Sequence, residues 1–202
     1  MRIENPTRLG GLAALLAGVL LIISQLLSLY LGYLDPGALR SILPIDSWLG
    51  LLLVVLVQLG LAGLYATQVK TAGALGAVGL FIAFVGAWLT MGNSFISPVV
   101  RQAALPDMGE PEEFFGPLAL FGLTFVLGWI LFGMATLRAG VYPRPAAALL
   151  IAGALILLLP LPLSDVVFAV AVAWMGYVLL TGRGQQAAQP DLREMDSPRS
   201  QC

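Results

Sequence analysis

The sequence predicts an all-α integral membrane bundle of six transmembrane helices, arranged as three hairpins with both termini in the cytoplasm. Composition is the first observation behind this. The chain of 202 residues is 59% apolar and only 10% charged, against roughly 25% charge in an ordinary soluble domain. Its mean hydropathy is +0.93. The second observation is the recurrence of uncharged apolar runs close to the ~20 residues that cross a ~30 Å hydrocarbon core. The runs are Leu9–Leu34, Trp48–Thr67, Ala72–Gly92, Phe114–Leu137, Ala146–Leu163 and Val166–Leu180. The third is the placement of positive charge. With the N-terminus inside, Arg2, Arg8, Lys70, Arg138, Arg144, Arg183, Arg193 and Arg199 fall on inner segments, and only Arg40 and Arg101 on outer ones. Cytoplasmic loops carry such an excess of Lys and Arg. A missed or extra span would scramble it.

Each element has its own reason. The first apolar run is about twice a signal peptide's usual 7–15 residues and no small-residue cleavage site follows it, so it is expected to remain as an anchor. The second and third spans are expected to be joined by a short inner turn around Lys70. Before the fourth span, Phe95, Ile96, Val99, Val100 and Ala103 share one helical face and predict a short interfacial helix. The acidic stretch Asp107–Glu113 then suits the start of a helix, where acids complement the dipole; a hard-cation site is the alternative. Between the last two spans, Pro160 and Pro162 end one helix, and Ser164 or Asp165 caps the next. A re-entrant hairpin over 145–181 is the alternative there. Residues 1–181 form the membrane domain in this reading, and the polar tail 182–202 is expected to be disordered. Tyr30, Tyr33, Trp48, Trp88, Phe114 and Phe115 are expected near the outer boundary. Tyr65, Tyr142 and Tyr177 are expected near the inner one. Trp129 and Trp174 are expected between helices.

Small residues at four-residue spacing let helix backbones approach in lipid. Gly79, Ala83 and Ala87 form such a ladder. Ala72 with Gly76, Ala14 with Gly18, Ala148 with Ala152 and Ala169 with Ala173 repeat the spacing. They are read as packing within the bundle, with homo-oligomer contact the alternative. Arg8, Lys70 and Arg144 each lead into a small-residue-rich stretch, so a weak three-hairpin repeat is an option beside convergent composition.

The same composition excludes several functions. There is no His, hence no imidazole base, His-bound metal or His-ligated haem. The single Cys, Cys202, allows neither a disulfide nor a thiolate cluster, and with no residue after it prenylation does not apply. A net charge of −1 argues against nucleic acid as a partner. No cofactor is implied. The serines have no evident base, so an enzyme is not expected.

The polar groups within the spans are Ser24, Gln25 and Ser28 on the first, Gln58 on the second and Thr124 on the fourth. At ~1.5 Å per residue they reach one level of the bilayer. Two readings follow: hydrogen-bonded glue between helices, with Gln25 and Gln58 satisfying each other, or a midplane pocket for a small neutral or lipidic molecule. Arg8, Lys70, Arg138 and Arg144 are read as topology anchors rather than lipid-headgroup sites. An accessory or scaffold membrane protein, acting through the bilayer, a protein partner or a second copy, is the first functional expectation. A carrier or binder is the second.

One stretch resembles a group of small bacterial multi-pass membrane proteins. Leu131-Phe132-Gly133-Met134-Ala135-Thr136-Leu137-Arg138-Ala139-Gly140-Val141-Tyr142-Pro143-Arg144 is similar to their inter-helix hairpin "LFG.ATLRAG..PR". The opening Arg8-Leu-Gly-Gly-Leu-Ala-Ala and the later Trp174-Met-Gly-Tyr177 are similar too. The resemblance implies an inner-membrane protein and carries over no catalytic or binding residue.

Overall fold

A computed structural model describes residues 6–34, 36–104, 115–159 and 163–181, with side chains for 7–31, 33, 48–92, 120–159 and 163–181. All secondary structure in these residues is helical: α1 (Pro6–Leu34), α2 (Pro36–Ala104), α3 (Phe115–Ala139), α4 (Arg144–Ile156) and α5 (Ser164–Thr181). Four helices are long and apolar enough to cross a membrane, over Thr7–Leu31, Trp48–Gly92, Leu120–Ala139 and Ser164–Thr181. The acidic stretch 107–113 and the tail 182–202 lie outside the described residues.

The 69-residue α2 is not one rod. It breaks at Gly73, where φ is 58° and ψ is −157°, a region essentially reserved for glycine. The two arms fold back on each other. Gly50 lies against Met91, Tyr65 against Gly76, and Gln58 against Phe84. The expected inner turn at 68–71 is thus corrected: helix runs through Thr67 to Ala72, because nothing there disfavours it, and the reversal is confined to Gly73. The α3–α4 turn falls between the expected fourth and fifth spans. Gly140 takes φ 65° and its N–H donates to the Thr136 carbonyl at 3.3 Å, as a helix-terminating glycine does. Pro143 then caps α4, with Pro145 in its first turn.

Around the bundle, α1 packs on α2, α2 on α3, α3 on α4, α4 on α5, and α5 back on α1, closing a ring. Each seam contains a glycine: Gly10 on Gly63, Gly86 on Phe125, Gly133 on Ile151, Gly153 on Phe168, and Gly18 on Ala169 and Ala173. At the Gly10–Gly63 crossing a Cβ on either residue would strike the other's Cα, so the two backbones are in contact. The predicted ladder works inside the bundle. Ala83 and Ala87 are buried, and Ala83 meets Gly128. Ala148 and Ala152 do not follow it. Both are exposed and face away from the bundle.

The helices are built inside out compared with soluble ones. On α1, Ala13, Ala14 and Ala17 are buried, whereas Leu9, Leu12, Leu16, Val19, Ile23, Leu26 and Tyr30 are exposed. That three-and-four spacing is one continuous face. Monomeric soluble proteins rarely expose apolar patches beyond a few hundred Å². Tyr30, Tyr33, Trp48 and Trp88 are exposed, Tyr142 is buried in the α3–α4 turn, and Trp174, expected between helices, is 41% exposed.

Backbone geometry makes these contacts testable. Gly73→Ala should cost about 1–3 kcal/mol through its strained dihedrals. Gly128→Val should cost about as much by forcing α2 and α3 apart. A Cβ at Gly122 meets nothing, so Gly122→Ala should be neutral or stabilising by up to ~1 kcal/mol. Reversible SDS unfolding in bicelles would rank the three.

Candidate functional site

The turns set the polarity of the bundle. Arg8 starts α1, Lys70 precedes the Gly73 break, and Arg138 and Arg144 flank the α3–α4 turn. All four are exposed. The contacts Gly10–Gly63, Gly176–Leu15 and Thr67–Tyr142 bring these segments to one end. At the opposite end lie the last turns of α1, the turn after α4, and Asp165 in the first turn of α5.

The described interior is filled in one half and open in the other. Trp129, Phe132, Leu61, Leu64, Leu150 and Met175 are fully buried. Phe168 of α5 stands edge-on to Trp129, with ring centroids 4.9 Å apart, and to Phe125, at 5.8 Å. These rings close the floor of a cavity of about 230 Å³. Its wall is mainly aliphatic, from Leu21, Leu53, Val54, Val57 and Leu157, with Ala87, Met91 and the two phenylalanines. Four polar side chains also line it: Ser24, Gln25, Thr90 and Asp165. Ligand pockets have this constitution, apolar walls with a few placed polar groups.

The predicted polar set is only partly assembled there. Ser24 and Gln25 line the cavity. Ser28, one turn on, is exposed. Gln58 is buried and donates through Nε2 to the Phe84 carbonyl at 3.2 Å, bonding the other arm of its own helix in place of Gln25. Thr124 donates to the Leu120 carbonyl of α3 at 2.8 Å. The cavity instead gains Thr90 and Asp165. Asp165 corrects the expectation that the spans carry no charge, because α5 begins at Ser164 and draws the carboxyl into the apolar helix Ser164–Thr181. Pro160 and Pro162 gave the cue, since helix resumes at the first residues able to cap it.

A second polar cluster, at the basic end, holds the turns together. Gln68, fully buried, donates to Thr136 Oγ1 at 3.0 Å, and Thr136 donates to the Phe132 carbonyl at 2.9 Å. The Thr67 and Tyr142 hydroxyls share a hydrogen bond of 2.6 Å, and both reach the Leu64 carbonyl, at 2.7 and 3.4 Å. This pins the Gly140–Pro143 turn to α2. The cluster is tied together by its own hydrogen bonds and reads as structural glue. Gln58 Oε1, Gln68 Oε1 and Trp129 Nε1 are buried without a partner among the described residues. No group of three metal-ligating His, Cys, Asp or Glu side chains occurs among the described residues.

Comparisons with family models, curated proteins and solved structures find no match to this chain.

Burial pushes the Tyr142 phenol up from 10.0 to about 12, opposed in part by the Thr67 hydrogen bond. Between those values the folded protein keeps a proton that the unfolded chain has released. Stability should therefore fall as pH rises from 10 to 12, by roughly 1.4 kcal/mol per unit. Tyrosinate absorbance should show a step near pH 12 that is missing from Tyr142→Phe, and that variant should lose less stability across the interval.

Proposed function

We propose that this protein crosses a bacterial inner membrane six times, with both termini cytoplasmic, and binds a small amphiphilic or lipidic molecule without covalent chemistry. The observation that carries the binding reading is the cavity of about 230 Å³, with Ser24, Gln25, Thr90 and Asp165 in an otherwise apolar wall. Two features support the six crossings. The Trp48–Gly92 stretch is 45 residues long and doubles back at Gly73, so it supplies two passes. The 13-residue α4 is prolonged by turn bonds from Leu158 and Leu159. From Arg144 to Leu159 it rises about 22 Å at ~1.5 Å per residue, a shortfall that local bilayer thinning can meet. The gathering of Arg8, Lys70, Arg138 and Arg144 at one end supports that end as cytoplasmic. The likeness to small bacterial membrane proteins in the Leu131–Arg144 hairpin agrees with this.

One observation favours a second reading. Ala148 and Ala152 are a close-packing pair left exposed on α4. An accessory protein would use such a face for a partner helix.

Topology is tested at Cys202, the single cysteine of the chain. An impermeant maleimide should label it only after the cells are opened; labelling of intact cells would reverse the orientation. For the function, native mass spectrometry on protein released gently from its own membrane is decisive. A bound lipid or small molecule that is absent from the cavity-filling variant Val54→Phe is the expected result. A stoichiometric second polypeptide with no such adduct would replace the binding reading with the accessory one.

A further inference from the structure

The position of Asp165 narrows the class of ligand, on the premise that the cavity is a binding site. Gln25 shares the cavity with Asp165. It lies about 9 Å short of Leu31, the end of the apolar stretch of α1, at ~1.5 Å per residue. The carboxyl is therefore half-buried in the first turn of α5 beside the cavity, below the end of the apolar stretch of α1. Among the described residues no ion pair or hydrogen bond reaches it, and the described basic residues, Arg8, Lys70, Arg138 and Arg144, stand at the other end of the bundle. Arg40 and Arg101 lie outside the residues whose side chains are described.

A carboxylate half-buried in apolar surroundings gains from a partner of opposite charge, the alternative being to take up a proton. The rest of the cavity says what kind of partner fits. A hard metal ion takes six or more oxygen ligands or keeps several waters, and a wall of Leu, Val, Met and Phe supplies neither. Phe125 and Phe168 line the floor, and aromatic faces attract organic cations. Gln25, Ser24 and Thr90 add hydrogen-bonding oxygens. The volume is below the 300–1,000 Å³ of drug-sized sites, so it takes a compact molecule or the head of a longer one.

We propose that the cavity is selective for organic ammonium ions with an apolar body, and that Asp165 is the counter-charge that selects them. The ammonium N–H groups donate to the Asp165 carboxylate while the hydrocarbon part fills the aliphatic wall. A neutral molecule of the same shape gains only the second contact.

The test uses the full chain in phosphatidylcholine nanodiscs, with octylamine, octanol and octanoate as probes and empty nanodiscs as the blank for partitioning. Calorimetric titration should give octylamine an affinity roughly 10- to 100-fold above octanol, the span expected of one hydrogen-bonded charge. Octanoate should not bind. Asp165→Asn, nearly isosteric, should bring octylamine down to the octanol level and leave octanol unchanged. Equal binding of amine and alcohol by the native protein would overturn the inference while leaving an apolar binding cavity in place. This comparison decides the matter even if the variant fails to assemble. Amine preference that survives Asp165→Asn also overturns it. Silence from all three probes would take down the cavity reading itself. That reading has its own separate check in the native mass spectrum.

Discussion

Contact between helix backbones is the constraint on which the bundle rests. In hydrocarbon a leucine gains little by leaving lipid for another helix, so helices associate by dispersion at short range and by hydrogen bonds. Every seam of the ring accordingly contains a glycine, and at Gly10–Gly63 two main chains meet directly. The large aliphatic residues that would form the core of a soluble protein face outward along α1. What fills the interior is a smaller set of large side chains, led by Trp129 and Phe132, whose rings interlock edge to face.

That packing divides the molecule into two unlike halves. Toward the basic end, Gln68, Thr136, Thr67 and Tyr142 hydrogen-bond across the turns. Toward the other end the helices part around the cavity, and the aromatic floor separates the two.

Much of this was legible in the sequence, for reasons that differ by residue. The all-helical, apolar character followed from the apolar runs, because an apolar stretch of spanning length has few other ways to satisfy its backbone, but the helix limits did not, since α2 extends from Pro36 to Ala104. The Gly140 turn was legible from a basic last turn, a glycine and flanking prolines. The stripes Gly79, Ala83, Ala87 and Ala148, Ala152 were legible from their spacing, but their directions, inward for the first and outward for the second, were not, since spacing defines a stripe but not its direction. Gln58 does not pair with Gln25 because a main-chain carbonyl can accept from an amide N–H equally well, here that of Phe84 on the paired arm. Thr90 and Thr136 were overlooked as residues that ordinarily bond their own helix, and Gln68 fell just beyond the expected end of its span. Asp165 was legible as a helix cap but not as part of a cavity wall, because its neighbours in the cavity come from α1, α2 and α3 as well as its own helix.

The closed ring has a consequence for how the protein is made. Its closing seam joins α1 to α5, the first and last of these helices to leave the ribosome. Until α5 emerges, Gly11 and Gly18 lack the surface they fit, since their contacts lie on Ala169, Ala173, Gly176 and the leucines that follow. During synthesis those glycines stay uncovered until the last helix arrives. Quality control that recognises unpaired helices in the bilayer would see them for as long as the final hairpin is delayed.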